Sequence, residues 1–175
     1  MKILNQALTV IFNRKSVRNF TGEAVSKSDL ETILKAGMSA PTAVNTQPWT
    51  FVAVTDRKTL DLLAESLPYA KMLFQAGAAI IVCGIPEKAN NKMTEYAIID
   101  TCAASENILL ASEAVGLGAV WTALYPRADR MEIARKILNI PENIIPLNAI
   151  PIGHPTGIDV PKDKFKPENI RWEKW

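Results

Sequence analysis

The sequence predicts one domain of mixed helices and strands, and three observations point there. Apolar residues recur at helical spacing in several stretches, β-branched runs fall between those stretches, and Gly or Pro marks most changes from one to the other. With 175 residues, 48% hydrophobic and 22% charged, the chain can enclose a core of ordinary size.

The first helix is read from Leu4, Ala7, Leu8, Ile11 and Phe12, which form one apolar stripe and predict a packed helix. A second begins at Ser26, where Ser26 and Asp29 have capping-box-like spacing and Leu30, Ile33, Leu34 and Met38 supply the stripe. Pro41 stops it. The loop APTAVNTQPW, stiffened by two prolines and rich in amides and hydroxyls, then leads into the strand TFVAV. A helix over residues 58–67 and a turn near Ala70 precede AAIIVCG, whose unbroken apolar run suits a buried central strand. Residues 94–115 form the longest periodic segment, and Ala97, Thr101, Ala104, Ser105, Ala111 and Ser112 would let another helix approach, as at an interface. Gly116 and Gly118 end it, after which AVWTALY reads as a strand, RADRMEIARKIL as a helix and IIPLNAIPIG as a strand. From His154 onward Pro155, Pro161 and Pro167 forbid long regular structure, while Phe165, Trp172 and Trp175 still need burial. The reading is an extended arm lying on its own domain or on a second copy, with the second copy preferred.

The functional signal starts at NRKSVRNF, where Arg14, Lys15 and Arg18 crowd around Ser16 at the end of a helix. Such cations repel one another unless something anionic lies between them. The net charge of +2 makes this a local site and argues against nucleic acid. A solvated basic helix end is the other reading of the cluster. Cys83 and Cys102 lie far apart in apolar contexts, and His154 is the only histidine, so neither a metal site nor a Cys/His nucleophile is expected. No apolar run of membrane-spanning length occurs and no cleavage site follows the N-terminal apolar stretch, which leads us to expect a cytoplasmic protein with no membrane partner.

Taken in order, NRKSVRNF, APTAVNTQPW, AVGLGAVW, IPIGHP and PKDKF resemble the nitroreductase family of FMN-dependent oxidoreductases in its short form. The resemblance covers nearly the whole chain. It implies an α+β, nitroreductase-like fold with a central, mostly antiparallel sheet flanked by helices, and an intertwined homodimer with exchanged C-terminal arms and FMN at the interface. Residues 1–153 would form the FMN-binding domain and residues 154–175 the arm of that same domain, packed on the partner subunit.

The resemblance also assigns residues. Arg14 and Ser16 would hold the FMN phosphate with Lys162 and Lys164 of the arm, and Lys15 is placed among the same cofactor-binding residues. Arg18 would lie beside the pyrimidine edge near N1 and O2, where a cation favours the reduced state; a surface salt bridge, as to Glu23, is the alternative. Pro41, Thr42 and Ala43 would reach over the flavin of the partner subunit, with Asn45 and Gln47 making polar contacts or bracing the loop. Ala43 stands where many relatives have a second hydroxyl. Because Pro126 has no N–H, any amide facing flavin N5 is expected from Leu124 or Tyr125, and Tyr125 would line the substrate pocket or sit in the core.

The chemistry implied is hydride transfer from NADH or NADPH to FMN and on to nitroaromatics, quinones or similar small conjugated acceptors, in ping-pong order. No GxGxxG motif supports a separate dinucleotide site. The alternatives are a dehalogenase or ene-reductase-like relative, disfavoured by the short connection after Gly84, and a non-catalytic FMN store or redox sensor.

Overall fold

A computed structural model describes residues 5–175. Helix α1 spans Gln6–Asn13, with the Asn5 side chain accepting a hydrogen bond from the Leu8 N–H at 2.9 Å. The expected packed stripe is corrected here. No residue of α1 is buried, and Leu8, Ile11 and Phe12 stay exposed because α1 leans on α4 (Thr94–Ala114) with no further layer among the described residues over it. Leu4 lies outside the described residues.

Helix α2 (Lys27–Met38) starts as expected, since the Ser26 hydroxyl accepts from the Asp29 N–H at 3.0 Å. Strand β1 (Trp49–Val54), helix α3 (Arg57–Ser66) and strand β2 (Ala78–Gly84) follow. After α4 come β3 (Gly118–Ala119), β4 (Thr122–Ala123), α5 (Ala128–Leu138) and β5 (Ile145–Gly153). The strands run β1-β2-β5-β3 with β4 also on β5, and every strand pair is antiparallel.

Both faces of the sheet are covered, which explains why β2 reads as an unbroken apolar run. Ala79, Ile81 and Cys83 of β2 join Leu60 and Leu63 of α3 and Ala134 of α5, whereas Ala78, Ile80 and Val82 join Leu30 and Ile33 of α2 and Ile108 of α4. The small residues of α4 serve this packing within the chain: Ala97, Thr101, Ala104, Ser105 and Ser112 are buried, and a Cβ on Gly37 of α2 would come within 2.9 Å of Ile108. The close approach of another helix that these residues allow is met within the chain by α2. The end of α4 is closed by Gly116 at φ +80°, with the Leu117 N–H on the Ser112 carbonyl at 2.8 Å and the Gly116 N–H on that of Glu113 at 3.1 Å.

One expected strand, residues 119–125, is observed as β3 and β4 with a gap at Val120 and Trp121. The register on β5 is continuous, and the interruption falls opposite Pro151, which has no N–H to give.

The segment NRKSVRNF lies along the β3 edge, held by its two apolar residues. Val17 and Phe20 are buried, the Val17 N–H donates to the Ala119 carbonyl at 3.0 Å, and the Thr21 N–H donates to that of His154 at 3.0 Å. A Cβ on Gly118 would lie 2.6 Å from Val17 and one on Gly153 2.9 Å from Phe20, so each glycine makes the slot its anchor fills. Gly118→Ala is therefore expected to cost about 1–3 kcal/mol of stability by overpacking. Adding Val17→Ala should make the double variant less destabilised than the sum of the single losses. Thermal or urea unfolding checks this, and simple additivity would refute the slot.

Candidate active site

Val17 and Phe20 point inward, so their neighbours Arg14, Lys15, Ser16 and Arg18 are left along the outer face. The C-terminal arm crosses this face and brings Lys162 and Lys164 to it. All six residues line one cavity of about 450 Å³, which Ile158, Asp159 and Val160 help to close. Arg14, Lys162 and Lys164 also wall an adjoining cavity of about 550 Å³ whose apolar side is Ile11, Phe12 and Phe165.

Some of this charge is answered by the chain itself. Arg14 Nε lies 3.3 Å from Glu106 Oε1, and Lys15 Nζ is 3.1 Å from both carboxylate oxygens of Glu113. Lys15 is thus tied down by a largely buried partner, so its main contact is structural. Arg18, Lys162 and Lys164 form no ion pair among the described residues, and the alternative bridge from Arg18 to Glu23 is not made. A cavity with these uncommitted cations, a guanidinium at its wall and the exposed Ser16 hydroxyl suits a dianionic phosphate.

The arm is attached by Asp159, which the sequence reading did not single out. Its Oδ2 accepts from the N–H groups of Arg18 at 3.0 Å and Asn19 at 3.1 Å and from Asn19 Nδ2 at 3.2 Å. Burial tends to raise this carboxyl, but the amide donors and the nearby Arg18 charge outweigh it and hold it below the usual carboxylate range. A depressed folded-state pKa stabilises only while the carboxylate is ionised. The contribution is present above the unfolded value of about 3.9 and is lost as pH falls through the folded one. Asp159→Asn should therefore loosen the arm at neutral pH, and its stability deficit relative to wild type should shrink towards zero in acid. Unfolding curves from pH 7 to pH 2.5 check this; a deficit that persists at the acid end would show that the charge is not what holds the arm.

The loop after α2 is fixed from beneath. The Ala43 N–H donates to both carboxylate oxygens of Asp100, at 3.3 and 3.2 Å, and Asp100 is buried in α4. The Gln47 N–H reaches the Thr42 hydroxyl at 3.2 Å and the Gln47 side chain reaches that of Asn45 at 3.1 Å. These bonds stabilise a backbone in which Val44, Asn45 and Gln47 have φ of 47°, 58° and 49°, an unfavourable region for a β-branched residue such as Val44. None of Pro41, Thr42, Ala43, Asn45 and Gln47 lines the cation-walled cavity of the same chain.

At the other end, the expectation for Leu124 and Tyr125 is corrected. Both N–H groups donate to the Leu147 carbonyl at 3.0 Å, and Leu124 is fully buried, so neither amide is available. In an antiparallel ladder bonded and unbonded residues alternate. The Val120 N–H points to β5 like that of Leu124, which turns the Trp121 and Ala123 amides to the open edge. That edge, with Arg18, Tyr69 and Arg130, lines a further cavity of about 280 Å³. Tyr125 is half-buried and is not among its lining residues. The parity of these amides depends on the register against β5, which no local motif displays.

Comparison with known proteins agrees with this geometry. A model of the Nitroreductase family matches residues 11–69 and 61–154. A protein of Archaeoglobus fulgidus, provisionally named NADH dehydrogenase/NAD(P)H nitroreductase, is 40% identical over 175 residues, covering 98% of this chain and 100% of that one. Among solved structures, a protein of Bacteroides thetaiotaomicron with the same provisional name is 48% identical at a TM-score of 0.92, covering 99% of this chain and 100% of its own. A Desulfovibrio desulfuricans protein provisionally named a nitroreductase, solved in complex with FMN, is 30% identical at a TM-score of 0.83, covering 99% of each chain.

Proposed function

The chain belongs to the nitroreductase family, and from that premise we propose that it is an FMN-dependent NAD(P)H oxidoreductase acting on nitroaromatics, quinones or similar small conjugated acceptors. One observation carries the reading: cations from two distant stretches of chain, residues 14–18 and 162–164, converge with the Ser16 hydroxyl on a single cavity. FMN, when bound, supplies the two-electron chemistry by taking hydride from NAD(P)H and passing it to the acceptor.

The chain's own residues bind and orient. Arg14, Ser16, Lys162 and Lys164 take the phosphate, and Glu106 holds the Arg14 side chain in place. Arg18 lines both the phosphate cavity and the cavity at the β4 edge, so it stands where the cofactor would pass from one to the other. The Ala123 and Trp121 amides are the donors offered to the ring along that edge. Protons can come from water, so no acid–base pair is required.

The same reading includes a homodimer in which each arm, seated on its own chain as far as Lys164, is exchanged onto the partner beyond that residue. Phe165, Trp172 and Trp175 are exposed on their own chain, as are Leu8, Ile11 and Phe12 of α1, and a second copy would cover both sets. The Pro41–Gln47 loop, held rigid by Asp100, would then reach the partner's ring. No helix among the described residues is long and apolar enough to cross a membrane, and a cytoplasmic location is part of the proposal.

The purified protein should be yellow and release FMN on denaturation. With menadione as acceptor it should oxidise many equivalents of NADH or NADPH per flavin. A single reduction per flavin would identify a store or sensor instead, and colourless protein that fails to take up FMN would overturn the assignment. A dehalogenase or ene-reductase role is less favoured because only two short 3-10 turns, Pro86–Lys88 and Asn90–Lys92, separate β2 from α4.

A further inference from the structure

We propose that Arg130 is a second cation for the flavin ring, acting with Arg18 on the carbonyl-bearing edge and favouring the reduced form; the inference rests on the FMN site proposed above. Arg18 stands at the junction of two cavities. On one side it joins Lys162 and Lys164, and on the other it joins Arg130, Tyr69 and the open edge of β4. If the phosphate occupies the first, the ring is directed to the second.

Arg130 is costly where it stands. It is the third residue of α5, in the first helical turn, where the helix dipole favours carboxylates and opposes cations. The acidic residue of that turn, Asp129, is paired with Arg127 at 3.2 Å and gives Arg130 no counter-charge. Arg130 forms no ion pair among the described residues. Its Nε is buried without a partner, while its Nη1 donates to the Ala123 carbonyl at 3.2 Å. The Tyr69 ring lies against the guanidinium, 5.5 Å from Cζ, although Tyr69 itself is 78% exposed and has φ +61°.

A half-buried guanidinium held by one carbonyl and one ring face has donors to spare for a negative or hydrogen-bond-accepting group. The carbonyl-bearing edge of a flavin ring is such a group, and it gathers charge when hydride arrives. The bond to Ala123 fixes the guanidinium to the strand that turns its amides towards the ring, so the position of the charge and that of the amide donors are set together.

The test compares Arg130→Met and Arg130→Gln with wild type, all saturated with FMN, by spectroelectrochemistry and by titration of the apoprotein. Glutamine keeps a donor for the Ala123 carbonyl and removes the charge. Both variants should bind the reduced form about tenfold more weakly relative to the oxidised form than wild type does. For a two-electron couple that is a potential about 30 mV more negative. Affinity for riboflavin and for FMN should fall by the same factor, because the phosphate is not involved. Should the methionine variant fail to fold, the glutamine variant carries the test. An unchanged potential in folded, FMN-loaded Arg130→Gln, with only thermal stability reduced, would make Arg130 a strut for β4 and overturn the inference. Wild type that binds neither flavin would instead overturn the proposed function.

Discussion

A chain ending at Gly157 is expected to lose FMN almost completely while keeping its core. The deletion removes Lys162 and Lys164 from the cation-walled cavity and Asp159 from the Arg18–Asn19 amides. Hydrogen bonds to charged groups contribute about 1.5–3 kcal/mol each, so losing both lysine contacts alone weakens binding by about 3–6 kcal/mol, or two to four decades. Loosening of residues 14–18 adds to that. The core is spared because the deleted segment contributes nothing to it: Phe165, Trp172 and Trp175 are all more than 70% exposed on their own chain. If the arm instead covers a partner, the dimer should fail together with the flavin. Sedimentation and flavin content of the truncated protein decide this. A truncated monomer that keeps FMN at full occupancy would refute both the arm's part in the site and the interface.

The helices and central strands were legible because their signals are local. Ser26 with Asp29 marked the start of α2, and the all-apolar run of β2 marked a strand covered on both faces. The cation set was legible because NRKSVRNF and PKDKF each carry an unusual local density of charge; their convergence came from the family resemblance, since no residue in either stretch says that they meet. What stayed hidden depends on contacts far apart in sequence. Glu113 lies 98 positions from Lys15 and Asp159 141 positions from Arg18, so the partner that neutralises one and the clamp that seats the other leave no local trace. The Leu124 and Tyr125 amides were misplaced for the same reason. α1 differs: its stripe is real, but a stripe says only that a face seeks cover, and the described residues of this chain do not supply it.

Arg14→Ala and Lys164→Ala should each weaken FMN binding by about 1.5–3 kcal/mol and leave riboflavin binding nearly unchanged. Folding should hardly respond. The partner Arg14 leaves behind, Glu106, is 51% exposed and can be rehydrated, and Lys164 has no ion-pair partner among the described residues. Lys15→Ala is the informative contrast, although it removes a charge of the same sign from the same cavity wall. Its ammonium is held by Glu113, and both side chains are about four-fifths buried, so its loss strands a carboxylate and should lower stability more than FMN affinity. The three variants thus separate a cation that faces the ligand from one that faces the protein. Titration of the apoproteins with FMN and riboflavin, beside their unfolding curves, reads both quantities. Equal losses for the two flavins in Arg14→Ala would mean that this residue does not hold the phosphate; an FMN loss in Lys15→Ala as large as in Arg14→Ala would mean that the Glu113 pair opens when the phosphate arrives.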